Sequence, residues 1–336
     1  MGYMTTSPPT FTIMTYNILI GGDSERIDQI EAVIRHVQPD VLGIEEANHP
    51  DDVQAMAERL QMHCLMGYSA GGFHVALLSK WPICSWVNHG RPIFQKGLIE
   101  AVIDLPGEPE PWHIFVGHLT ADFYRGAKAE RQREAEVQTI LNCMRYPASL
   151  GRPHLLMGDF NALKPGETLQ ATTLIAQVVE YDEERKRRKA LLKGQPNLGY
   201  VIPKALHPLM PLFRQIPKRR ILAALANISA NAIIPRFAMR RLMDAGYVDL
   251  LGESYSPTMI PPTCPLPNPA GRIDYIWSDA SLSQRLIMCD VILDQLGCPV
   301  DTASDHRPVV ATIQGIGRFA ESTSKEEERV LAGTSV

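Results

Sequence analysis

The sequence predicts an α/β protein in which sheets are covered by helices, and three observations carry that prediction. Short apolar runs of strand length alternate with segments of helical period from residue 11 to about residue 180. Several of the runs are separated by gaps of hairpin length. Amides, carboxylates and imidazoles recur where the runs end, the pattern of a site carried by loops on a rigid scaffold.

The elements follow in order. Residues 11–16 predict a strand. Ile27, Ile30, Ile34 and Val37 repeat at helical spacing, so 25–38 predicts an amphipathic helix ended by Pro39. Residues 41–44 predict the next strand. Asp51, with Gln54 three residues on, predicts a capped helix whose inner face is Val53, Met56 and Leu60. Strands are predicted over 74–79, 98–105, 113–117 and 154–157, with a long helix over 126–146 that turns Val137, Ile140, Leu141 and Met144 inward. Segments 272–277 and 308–313 supply the last strands.

Composition bounds the class. With 336 residues, 45% hydrophobic and 21% charged, the chain is neither disordered, collagen-like nor a coiled coil, and its length suits about two domains or one large one. A formal net charge of −4 gives no global basic bias toward nucleic acid. The six cysteines (64, 84, 143, 264, 289 and 298) form no C-x-x-C pair, which argues against zinc and for reduced thiols in a cytoplasmic protein. The start, MGYMTTSPPTFTIMTYN, lacks the charged-then-apolar pattern of a signal peptide, and the longest apolar run, 221–234, is too short for a membrane span and is broken by Asn227 and Asn231.

Residues 182–241 have a different texture. They carry 14 Lys+Arg against 3 Asp+Glu, a net of +11, which leaves −15 on the rest of the chain. They open with DEERKRRK, contain six prolines, and include an apolar helical stretch near 219–234 bounded by basic residues. This composition reads as an insertion into the surrounding domain, too apolar for a flexible spacer. One reading makes it a solvated helical lid. A second makes it a basic arm gripping nucleic-acid phosphates. A third makes residues 205–241 an amphipathic element on an anionic membrane surface, with Leu222, Leu225, Ile228, Ile233 and Ile234 in the bilayer and Lys218, Arg219, Arg220, Arg236, Arg240 and Arg241 at the head groups.

The chemistry lies in the strand-end residues. Asn17 follows the first predicted strand, Glu45 and Glu46 the second, and His118 the run 113–117. Asp159 and Asn161 stand in GDFNA, Asp274 in RIDYIW, and Asp305 and His306 in SDHRP. Carboxylate and amide oxygens without cysteine suit a hard cation, Mg²⁺ or Mn²⁺. Two imidazoles able to meet carboxylates suit proton transfer or transition-state hydrogen bonding. Together they suit phosphate-ester hydrolysis.

In order and spacing, MTYNI, IEEA, GHL, GDFNA, RIDYIW and SDHRPV resemble the motifs of the endonuclease/exonuclease/phosphatase superfamily of metal-dependent phosphoesterases, over about 11–175 and 244–314. The resemblance implies a four-layer sandwich: two mixed, mainly antiparallel sheets face to face, flanked by helices. It implies Glu46 as the metal carboxylate with Asn17 and Asp305 near it. It makes His306 the catalytic histidine held by Asp274, has Asp159 and Asn161 orient water and phosphate, and makes His118 a second phosphate-contacting histidine. Glu45 stands where the family usually has Gln, and strand alternation predicts that it points away from the site. Arg125, Lys164 and Arg272 are candidates for substrate phosphate, although solvated surface charge also explains each. Asp249 reads as a structural acid and Trp277 as core.

The expectation is one domain over 11–316 with the insertion at about 182–241 and a polar tail over 317–336. The expected protein is cytoplasmic, with a peripheral membrane site as the variant reading, and has no obligate protein partner. Its expected activity is in-line hydrolysis of a phosphate ester, with nucleic acid as the first substrate class. A membrane-docked phospholipid, sphingomyelin or phosphoinositide phosphoesterase is the alternative, and a non-catalytic binding module the third reading.

Overall fold

The structure is a computed structural model that describes residues 8–22, 26–90, 92–121, 125–188, 208–256 and 259–317, with the side chains of 184–188 left out. The chain runs β1 (Thr10–Asn17), α1 (Ile27–Val37), β2 (Val41–Glu45), α2 (Pro50–Leu60), β3 (His63–Gly67), β4 (Val75–Ser79), β5 (Ile83–Asn88), β6 (Leu98–Ile103), β7 (Trp112–His118), α3 (Ala127–Ser149) and β8 (His154–Asp159). It continues with α4 (Ala171–Arg188), α5 (Met210–Phe213), α6 (Arg220–Ile233), α7 (Phe237–Asp244), β9 (Val248–Asp249), α8 (Leu250–Ser254), β10 (Asp274–Ser278), α9 (Ala280–Ser283), β11 (Leu286–Val291), α10 (Val300–Ala303) and β12 (Val309–Gln314).

Two six-stranded sheets result, in the orders β11-β12-β1-β2-β4-β3 and β5-β6-β7-β8-β10-β9. Alternation along each central strand gives both sheets two apolar faces, so each must be covered twice. Ile13, Val41, Leu77, Ile114, Met157 and Ile276 join in the core between the sheets. Met14, Leu42 and Ile44 turn the other way, onto Ile30, Val33 and Ile34 of α1 and Val53 and Met56 of α2. Phe115, Leu156 and Trp277 meet Val137, Ile140 and Met144 of α3 and Ala238, Met239 and Leu242 of α7. These are the four layers that the sequence resemblance implies.

Local details depart from the sequence expectations. Asp51 does not cap α2: Pro50 opens the helix, His49 precedes it without a side-chain cap, and Asp51 sits in the first turn, where its charge meets the helix dipole. The strands that periodicity did not predict are β3, β5, β9 and β11, and these are the four sheet edges. β5 is exposed along Cys84, Ser85, Trp86 and Val87, and β9 is only two residues long, whereas β3 alternates buried Leu65 and Gly67 with half-buried Cys64 and Met66.

Within residues 182–241, α4 continues a helix that begins at Ala171, α6 packs on α4, and α7 belongs to the outer layer through its buried Ala238, Met239 and Leu242. Residues 189–207 and the tail from 318 lie outside the described residues. Among the described residues no single helix is long and apolar enough to cross a membrane.

Candidate active site

The site is the polar end of the rows that form the inter-sheet core. In β1 the row runs Ile13, Thr15, Asn17; in β2 it runs Val41, Gly43, Glu45; in β7 it runs Ile114, Val116, His118; in β8 it runs Leu155, Met157, Asp159. β1 and β2 are parallel with Asn17 opposite Glu45, and β7 and β8 are parallel with His118 opposite Asp159. Both pairs therefore end their strands on the same edge. β10 and β12 run antiparallel to β8 and β1, so their contributions come at the starts of the strands. Asp274 is in register with Asp159, and Asp305 and His306 immediately precede β12. Gly158 permits this closeness: at φ +144° it brings β8 so near β7 that a Cβ would strike the Gly117 carbonyl.

Hydrogen bonds lock the constellation. Asn17 Nδ2 donates to Asp159 Oδ2 at 3.1 Å, and Asn17 Oδ1 accepts from the Leu19 amide at 3.0 Å. Ser304 Oγ donates to the Asn17 carbonyl at 2.6 Å. Asp159 Oδ1 accepts from the Asn161 amide at 2.9 Å, while Asn161, at φ +47°, donates its side-chain amide to the Leu119 carbonyl. His306 Nδ1 lies 3.0 Å from both oxygens of Asp274, whose Oδ2 also accepts from Thr263 Oγ1. The other ring nitrogen, Nε2, is 4.0 Å from Asp159 Oδ2 and 4.0 Å from Asp305 Oδ1. Glu46 leaves β2 at φ +58° and accepts the Ile20 amide at 2.8 Å.

Charge is unevenly shared. Burial disfavours ionised Asp159, but the neighbouring His118, His306 and Lys96 outweigh it and hold the carboxyl well below its usual value. Burial would lower His306; the carboxylate of Asp274 and the other groups beside it raise it well above an ordinary histidine. Burial, with Glu46 and Asp159 adding to it against the pull of His306, pushes Asp305 up to about 6. The His118 ring is held below its usual value by burial and by Lys96.

Glu45 corrects the sequence expectation. It lies in the inward row two residues from Gly43, whose Cβ direction meets Met157 of the opposite sheet. Its carboxyl is fully buried and accepts from Thr15 Oγ1 at 2.9 Å. Burial, then Asp274, raises its pKa well above an ordinary glutamate, so it sits under the site as a neutral acid.

Arg272 is buried and binds Asp249 and Glu167, Lys164 Nζ binds Asp249 at 2.6 Å, and Arg125 is exposed just before α3. Two residues that sequence reasoning did not single out belong to the site. Lys96 Nζ is 2.8 Å from His118 Nε2 and 3.8 Å from Glu46 Oε1. Cys264 Sγ is 3.3 Å from His306 Nε2, with burial pushing its thiol up to about 12. Neither carries a local signal; each arrives on a loop that only the fold brings in.

A divalent cation fits these residues. Asp305 Oδ1 is buried and accepts no hydrogen bond, and it shares its surroundings with the carboxylates of Glu46 and Asp159. Asp159, Asp274 and His306 also offer ligand atoms within 4.8 Å of one another, as do Cys264, Asp305 and His306. Oxygen donors predominate, which is the chemistry of a hard ion.

Comparisons with known proteins bear on the family and the fold. The model of the endonuclease/exonuclease/phosphatase family matches residues 14–306. No curated protein matches. An AP endonuclease from Archaeoglobus fulgidus is similar at 16% identity and TM-score 0.57, over 90% of this chain and 99% of that one. A 3′-5′ exonuclease (NExo) from Neisseria meningitidis is similar at 16% identity and TM-score 0.55, over 90% and 99%. The structure of the 3′ phosphatase NExo from Neisseria bound to product DNA hairpin gives the same identity, coverage and TM-score. Strand order, the six motifs and the family match lead to one conclusion: the chain belongs to the endonuclease/exonuclease/phosphatase family of phosphoester hydrolases.

Proposed function

We propose that this protein is a Mg²⁺- or Mn²⁺-dependent phosphodiesterase acting on nucleic acid. The observation that carries the reading is the meeting of an ionised Asp159 with a His306–Asp274 pair, beside an unpartnered buried oxygen of Asp305. Glu46, Asn17 and Asp305 would hold the ion, which when bound neutralises phosphate charge and acidifies water. Asp159, kept ionised and oriented by Asn17 and the Asn161 amide, takes the proton of the attacking water. As the water oxygen bonds to phosphorus, the ester P–O bond opposite it breaks, and the leaving oxygen keeps the electron pair and takes a proton from solvent. His306, held protonated by Asp274, donates hydrogen bonds to the phosphoryl oxygens as their charge grows.

The choice of nucleic acid draws support from the similar structures, whose descriptions name an AP endonuclease and a DNA product. A turnover panel tests it: plasmid DNA, single-stranded DNA, RNA, bis-p-nitrophenyl phosphate, sphingomyelin and phosphoinositides, each with Mg²⁺, with Mn²⁺ and with chelator. The expected result is cleavage of a nucleic acid that chelator or His306→Ala abolishes. Turnover of lipid head groups alone would reject the nucleic-acid reading while leaving the hydrolase.

A further inference from the structure

Helix α6 is built inside out. Of its 14 residues none is buried, yet only Arg220 is charged and the rest are apolar, apart from Asn227, Ser229 and Asn231. The two asparagines face inward. Asn227 Oδ1 accepts from the Thr172 amide at 2.9 Å and from Thr172 Oγ1 at 3.0 Å. Asn231 accepts the Leu169 amide and donates to the Leu169 carbonyl, each at 2.8 Å. Arg236 then ties the end of the helix to the carbonyls of Asn231, Ile234 and Glu167. Polar groups thus hold α6 to the domain, and the apolar ones look out: Ile221 is 77% exposed, Leu225 54%, Ile228 67% and Ile233 78%. A solvent-facing helix has the opposite arrangement.

We propose that this face docks on an anionic phospholipid bilayer, with α6 lying in the interface. Charge complementarity selects the partner. No Asp or Glu occurs from residue 185 to residue 243, and exposed Lys218, Arg219 and Arg220 at one end of α6 and Arg240 beyond the other frame the apolar strip. Apolar side chains between cations match acyl chains beneath acidic head groups. A nucleic-acid duplex would use the cations but has nothing to receive Ile221, Leu225 and Ile228, and no aromatic residue between 214 and 236 offers stacking. A second copy of the chain would set the same basic residues against themselves. The helix lies flat and does not span. α6 and α7 together are long and apolar enough for a span bent by 52°, but α7 is held by its buried Ala238, Met239 and Leu242, which leaves only the roughly 21 Å length of α6 for the lipid.

The test is co-sedimentation of the full chain with large vesicles, of phosphatidylcholine alone and of phosphatidylcholine and phosphatidylglycerol in equal parts. The protein should pellet with the anionic vesicles, less so at high salt. The combined variant Ile221→Ser, Leu225→Ser, Ile228→Ser should bind at least tenfold more weakly while hydrolysing bis-p-nitrophenyl phosphate at the unaltered rate. Ile228→Trp covers the case in which that variant fails to fold: its indole emission should be that of exposed tryptophan in buffer and shift to the blue with anionic vesicles. Failure to pellet overturns the proposal, and so does equal pelleting by the triple variant. Indole emission already blue in buffer, or a dimer that the serine substitutions dissociate, overturns it as well, because the face then has another occupant.

Discussion

Nζ of Lys96 and Nε2 of His118 are 2.8 Å apart, and the same ring nitrogen is 3.2 Å from Asp159 Oδ2. Burial and the ammonium together keep His118 below its usual pKa, so at neutral pH the ring is uncharged and Lys96 is the cation on that side of the site. At 3.8 Å from Glu46 and 2.8 Å from His118, this charge lies between the Glu46 carboxylate and the ring that meets Asp159. Lys96→Met should lower kcat/KM on a soluble phosphodiester by about 10²-fold, and Lys96→Arg should recover part of it. Steady-state kinetics on bis-p-nitrophenyl phosphate decides; unchanged constants in Lys96→Met would remove the lysine from the machinery.

Glu45 makes a prediction about pH. Its carboxyl is neutral in the fold because burial, then Asp274, raises its pKa well above 4.5, while in the unfolded chain it ionises near 4.5. Below that value both states hold the proton and nothing is lost. Above it the unfolded state alone releases the proton, so stability falls as pH rises. Glu45→Gln should therefore raise Tm at pH 8, leave it unchanged at pH 4, and keep turnover within about threefold. A Tm that drops at pH 8 would mean that Glu45 is ionised in the native protein.

Arg272 is a structural ion, not a substrate contact. It binds both oxygens of Asp249, reaches Glu167, and lies 4.1 Å from the centre of the Tyr275 ring. Removing it strands two buried carboxylates, with Lys164 left on Asp249 alone. Arg272→Met should cost about 3–5 kcal/mol in urea denaturation. The folded fraction should keep its KM. A raised KM at full stability would instead make Arg272 a phosphate ligand.

A second titrating group lies away from the site. Glu100 accepts from His113 Nδ1 at 2.8 Å and from His89 Nε2 at 3.2 Å. Burial opposes ionisation of Glu100, but the two imidazoles win and bring it down to about 2. His89 is pushed up to about 9 against burial, by Cys143 and Glu100. The acid's contribution is full above pH 4.5 and vanishes toward pH 2. That of His89 is full below pH 6.5 and vanishes as pH rises through 9. The Tm gap between the native chain and Glu100→Gln should thus be widest between pH 4.5 and 6.5, close toward pH 2 and narrow as pH rises through 9. A gap flat across pH would refute the pairing.

What the sequence disclosed follows burial. Strands covered on both faces, such as β1, β7 and β8, are read from their apolar runs, and the helices α1 and α3 from their periods. Among the edge strands, β5 lies exposed along Cys84–Val87 and so shows no apolar alternation, and β9 has two residues, too few for a period to be read. Site residues at the ends of buried strands were legible because a polar residue after an apolar run is conspicuous, and the six motifs fixed their order. Glu45 is not legible because alternation puts Glu45 and Glu46 on opposite faces without saying which face of β2 meets the second sheet. Lys96 and Cys264 were illegible because no local pattern announces a loop residue whose neighbours are far away in the chain.

The topology also sets when the enzyme can first exist. β1 pairs with β2 on one side but with β12 on the other, and Ser304 Oγ closes onto the Asn17 carbonyl. The first and last contributors to the centre are therefore clasped by the same pair of strands. A chain growing on the ribosome carries Asn17, Glu46, His118 and Asp159 before there is a His306 to join them. Competence arrives only when residues 304–314 have emerged, so a nascent chain of this hydrolase is silent until the strand that precedes them all finds its last partner.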